Sequence, residues 1–117
     1  MQLRRRINRS LSTRPFYSVQ DWYRLFRQPQ VSDSVAQFVF ESIEQHSGLQ
    51  CGHVVPSDRL IEDLQLPLVC WFDWEAQFYA DFCDRFGIES DDCLDIHTLD
   101  TVEDLVLFLN ARYSQIQ

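Results

Sequence analysis

Apolar residues recur at helical intervals in three long stretches of the chain. In the first, Val35, Phe38, Val39 and Ile43 fall at steps of one, three and four. That spacing predicts a helix started by Ser32 or Asp33 and running to about His46, with Gly48 as its stop. In the second, Trp74, Phe78, Phe82 and Phe86 recur every four residues and Gly87 follows. The predicted helix runs from about Asp73 to Phe86. At about 100° per residue, Asp73, Gln77, Asp81 and Asp84 share one face. Its apolar arc, from Trp74 through Phe82 to Ala80, is wide enough for deep burial or for a partner surface. In the third, Val102, Leu105, Val106 and Leu109 point one way, and Asp100 and Glu103 are spaced as a capping box. This helix runs to about Tyr113.

The remaining segments carry weaker patterns. Residues 1–17 are expected to be extended, with Pro15 ending any helix that begins earlier. Ser18 can cap a short helix, Val19 to Arg27, that carries Trp22, Tyr23, Leu25 and Phe26 and is closed by Pro29. Such a helix is too short to stand alone and must dock on something. Residues 49–57 read as a long loop, and residues 57–63 as a turn or short helix. No segment alternates as a strand does. The expected class is all-α, a small bundle of three main helices with a long first connection.

Charge divides the chain in two. Residues 1–32 hold seven arginines against one acid, Asp21, for a net +6. Residues 33–117 hold three arginines against 17 acids, for a net −14. The expected organisation is a basic, aromatic arm (1–32) joined to an acidic body (33–117). Every basic side chain is Arg, the residue suited to bidentate ion pairs. The body should repel nucleic acid and favour basic protein surfaces. No apolar run is long enough to span a bilayer.

Four cysteines, at 51, 70, 83 and 93, form no CxxC pair, and no secretory signal pattern precedes them. Free thiols in a reducing cytoplasm are the expectation. Residues 1–16 are Arg-rich and acid-free, so organelle targeting is the alternative.

The order of short phrases resembles the acyl carrier protein superfamily over about residues 33–110. The matching stretches are Pro56 to Leu64 (PSDRLIEDL), Phe82 to Ile88 (FCDRFGI) and Asp100 to Leu105 (DTVEDL). The resemblance implies an acyl-carrier-like bundle with docking acids on its second helix. It breaks at the decisive residue. The serine that accepts phosphopantetheine in that family stands fourteen residues before the equivalent of Phe86, and here that position is Phe72. No Ser or Thr lies between Asp58 and Glu89. A phosphodiester needs a hydroxyl oxygen, so no such cofactor is expected. The chain is also similar to a group of short bacterial carrier-like proteins that lack this serine.

Site expectations follow. Trp71, Asp73, Glu75, Asp81 and Asp84 around the second helix are candidate partner-binding residues; a solvated acidic face is the plainer alternative for the acids. Phe72 and Trp74 are expected to fill the interior, and Trp71 to be exposed. Arg4, Arg5, Arg6, Trp22 and Phe26 of the arm are the other candidates. Cys51, His53, Cys93 and His97 have poor zinc spacing, so no metal is expected. His46, His53 and His97 sit at helix ends or in loops beside no nucleophile, and no Gly-rich phosphate loop or GxSxG occurs. No catalytic residue is expected. The favoured function is a non-catalytic adaptor or assembly subunit that binds a protein. Two alternatives remain: a carrier with an unusual linkage through Cys70, and a charge-driven binder of nucleic acid or membrane through the arm.

Overall fold

The computed structural model describes residues 2–26, 31–70, 74–88 and 98–114. Among them the fold is all-α, with no strand beyond one isolated antiparallel bridge, Arg59 to Thr101. The helices are α1 Gln2–Leu11, α2 Val19–Tyr23, α3 Asp33–Ser47, α4 Leu66–Val69, α5 Trp74–Phe86 and α6 Val102–Ser114, with a 3-10 turn at Cys51–His53.

The three long helices form where periodicity places them, and their ends have local causes. Ser32 caps α3 by accepting from the Ser34 amide at 3.2 Å. Gly48 ends it in the left-handed region at φ 73°, returning its amide to the Glu44 carbonyl. Gly87, at φ 66°, ends α5, and the Ile88 amide reaches back to the Cys83 carbonyl. The capping box of α6 stands one residue later than expected. Asp104 Oδ2 accepts from the Thr101 amide, and Thr101 Oγ1 accepts from the Asp104 amide. The shift follows from the preceding loop, whose Asp58 carbonyl accepts from the Val102 amide while the Asp100 carbonyl accepts from Leu60. Those two bonds pin the long connection to the start of α6.

Two expectations are corrected. Residues 2–11 are helical, not extended. Leu3, Ile7 and Leu11 stand one turn apart and face the body; Ile7 and Leu11 are buried. Pro15 lies four residues past the helix and breaks nothing. The helix after Ser18 ends at Tyr23, and Leu25 and Phe26 continue in tight turns. Pro29 lies outside the described residues. The one-turn α4 was not foreseen: it opens on Leu66 after Gln65 at φ 52°, with Pro67 in its first turn.

One buried cluster joins Ile7, Leu11, Trp22 and Phe26 to the apolar faces of α3, α5 and α6. Phe38 of α3 meets Phe78, Phe82 and Phe86 of α5 at ring distances of 5.4, 5.6 and 6.0 Å. Asn110 of α6, also buried, accepts from the Ser32 amide at 2.8 Å and fixes the start of α3. No helix among the described residues is long and apolar enough to cross a membrane.

Candidate interaction surfaces

The N-terminal segment is sewn to the body by polar contacts. The C-terminal turn of α3 leaves carbonyls without intrahelical donors. Arg4 Nε donates to the Ser47 carbonyl at 2.6 Å. Asn8 Nδ2 donates to the Gly48 carbonyl at 3.1 Å, while its Oδ1 accepts from the Gln50 amide at 2.9 Å. A cation at this helix end is favoured by the macrodipole as well. Further on, Arg14 pairs with Asp58 at 2.7 Å. Asp58 is buried and also accepts from the Val55 amide at 2.8 Å. The His53 ring nitrogen Nδ1 lies 3.0 Å from the Arg14 carbonyl, the Tyr17 amide donates to the Gly52 carbonyl, and Phe16 lies edge-on to His53.

Several expected partner residues are therefore interior. Trp22 is fully buried and its Nε1 donates to the Val54 carbonyl at 2.8 Å. Phe26 is buried edge-to-face against Trp22, with ring centroids 4.9 Å apart. Arg4 is half-buried at the end of α3. Their shared physical reason is that α1 and α2 dock on their own body. Arg5 and Arg6 remain exposed, and Arg9 joins them on the outer face.

On α5, Asp84 is exposed and Glu75 half-buried. Asp81 accepts from Gln77 Nε2 at 2.9 Å and stands 3.7 Å from His46 Nε2. Arg85 reaches Glu41 of α3 at 3.2 Å. Part of the acidic face is thus turned to its own neighbours. Trp74 is buried against Phe78. Trp71, expected to be exposed, Phe72, expected to fill the interior, and Asp73 all lie outside the described residues. Just before them α4 presents Leu68, 65% exposed.

Chemistry is poorly served by these groups. Burial pushes the Cys70 thiol up to about 12, with Arg4 only partly offsetting it. Burial, then Glu44 and Asp58, raise Cys51 well above the ordinary range. A thiol held protonated is a poor nucleophile and a poor metal ligand. No group of three or more potential metal ligands gathers among the described residues; Cys93 and His97 lie outside them.

Sequence reasoning passed over Asn8, Arg14 and Asp58, the residues that fasten the N-terminal segment. The available signal was the i, i+4, i+8 spacing of Leu3, Ile7 and Leu11, hidden among arginines. Leu68 gave none, because a one-turn helix has no period. No family model, curated protein or solved structure matches this chain.

Proposed function

We propose that this protein is a non-catalytic adaptor of acyl-carrier-like arrangement that binds a protein partner where α4 leads into α5. The observation that carries the reading is Leu68. A large aliphatic side chain, 65% exposed on a proline-bearing turn of helix, is offered outward three residues ahead of Trp71 in the chain. Interface hot spots are enriched in Trp, and Leu68 stands three residues before Trp71, so the proposed anchor joins the two, with polar groups around it setting specificity. Glu75, half-buried in the first turn of α5, supplies one such charge.

The order of elements supports the carrier-like arrangement. A long helix is followed by a long connection tied to the start of α6, then by α5, with α6 last. Phe72 supports the loss of carriage, since it has no hydroxyl to esterify. Linkage through Cys70 is disfavoured by its protonated thiol.

Two measurements test the reading, both on the full chain. Intact mass after co-expression with a broad-specificity phosphopantetheinyl transferase should show the unmodified protein; an adduct would return it to the carriers. Affinity capture from the native lysate should recover a protein with the wild type that Leu68→Asp loses while keeping its helical circular dichroism. Equal recovery by both would remove the α4 surface from the reading.

A further inference from the structure

The described arginines fall into two groups. Arg14 pairs with Asp58, Arg24 with Asp21, Arg59 with Glu62 and Asp100, and Arg85 with Glu41. Arg4 caps α3, and Arg112 lies over the Phe108 ring at 5.0 Å. Among the described residues only Arg5, Arg6 and Arg9 have no such engagement, and all three are exposed on α1. Their spacings of one, three and four residues put them on one side of the helix, with Arg5 and Arg9 about 6 Å apart along its axis.

This grouping has a cost within the chain. Like charges at i, i+4 weaken a helix by about 0.2–0.5 kcal/mol per pair. The first turn of α1 contains no acid to balance the cations at its positive end. The protein has 18 acids, yet no described one pairs with Arg5, Arg6 or Arg9. Arg6 shares an open cleft with Asp58 and Asp63, but Asp58 is taken by Arg14, and Asp63 accepts from the Arg59 amide. The opposite face of α1 is fixed to the body through Arg4, Ile7, Asn8 and Leu11, so the three guanidinium groups are displayed on a helix that is already docked.

We infer that the outer face of α1 is a docking surface for an acidic protein segment, a helix with carboxylates at i, i+3 or i+4 spacing. Guanidinium forks match carboxylates two bonds at a time, and a helical spacing of acids matches Arg5 and Arg9 turn for turn. The rest of the molecule selects the size of the anion. Residues 33–117 carry a net −14, and the molecule is only 21 Å across its shortest axis. A duplex or an anionic bilayer laid on α1 would bring extended negative charge towards that body, where repulsion acts over a screening length of about 8 Å. A short acidic segment places its charge on α1 alone.

The test is fluorescence anisotropy at low salt with the full-length chain. The probe is a labelled alanine-rich helical peptide with glutamates spaced by four. A DNA duplex and phosphatidylserine-containing vesicles run beside it. The peptide is expected to bind in preference to both. Its affinity should fall about tenfold in the triple variant Arg5→Ala, Arg6→Ala, Arg9→Ala, the size expected from losing several exposed ion pairs. Arg24→Ala, which removes an exposed arginine elsewhere, should leave it unchanged. If the triple variant loses its helical signal, Arg5→Ala and Arg9→Ala singly carry the comparison. Absence of peptide binding, equal binding by the variants, or tighter binding of DNA or vesicles would each overturn the inference. So would salt-sensitive self-association of the wild type in sedimentation, which would make a second copy the occupant.

Discussion

Gly48 meets two requirements at once. Its φ of 73° lies in the left-handed region, and a Cβ there would stand 2.7 Å from Arg4 Cδ and 2.8 Å from Nε. The backbone alone would make Gly48→Ala cost about 1–2 kcal/mol. The collision adds to that only while Arg4 is present. The substitution should therefore destabilise the wild type more than it destabilises an Arg4→Ala background, as read from urea midpoints in a double-mutant cycle. Equal costs would show that Arg4 is not held against the end of α3. Cysteines make a second prediction at this scale. Burial raises Cys51, Cys70 and Cys83 above the ordinary value of 9.0. A raised folded value means that stability is fully present below pH 9 and is lost as pH climbs from there, towards about 12 for Cys70. Urea midpoints should fall between about pH 9 and about pH 10.5, and fall less when Cys51 and Cys70 are both replaced by Ala. Iodoacetamide at about pH 8 should label Cys70 readily only after unfolding.

Among the elements, the link between residues 14 and 58 shows how partial burial sets the worth of an ion pair. Arg14 is 37% exposed at its side chain and Asp58 only 5%. Removing the arginine leaves a buried carboxylate with the Val55 amide as its remaining donor. Arg14→Ala should cost about 2 kcal/mol, between the values for exposed and fully buried pairs. Arg24→Ala, whose pair with Asp21 is open to water on both sides, should change stability by less than about 0.5 kcal/mol. Thermal or urea unfolding of the two variants makes the comparison; equal effects would show that the N-terminal strap is not held by this pair. The same scale explains what could be read in advance. Helices α3, α5 and α6 were legible because each repeats its apolar face over three or more turns, with Gly48 and Gly87 stopping α3 and α5 and a capping box starting α6. The helix α1 was legible in principle through Leu3, Ile7 and Leu11, but Pro15 drew the reading towards extended chain. In α2, five residues cannot reveal whether Trp22 faces a partner or a core. Only the acceptor waiting at Val54, 32 residues away, decides it.

For the whole molecule, the charge division at residue 32 does not coincide with a division of the core. The basic segment contributes Ile7, Leu11, Trp22, Phe26 and Val31 to the same buried cluster as the acidic body. Charge is visible in composition, whereas the docking of α1 and α2 depends on contacts made across tens of residues, and a sequence shows the first far more readily than the second. The consequence is energetic. Burying a side chain of this class is worth about 1.5–3 kcal/mol, so losing five of them removes about as much as the whole stability of an ordinary domain. A version starting at Asp33 would also leave the α3 carbonyls at Ser47 and Gly48, and the carboxylate of Asp58, without their partners. It should show the circular dichroism of a largely unfolded chain and no cooperative urea transition. Trp22→Ala in the full chain, costing about 3–5 kcal/mol, should keep a transition at a lower midpoint. A truncated chain that unfolds cooperatively near the wild-type midpoint would show that residues 33–117 hold their own core. If the truncated chain is unfolded, its failure to bind any partner would report lost folding and not a lost contact. For that reason the two surfaces have to be separated by exposed point changes, at Leu68 on one side and at Arg5, Arg6 and Arg9 on the other.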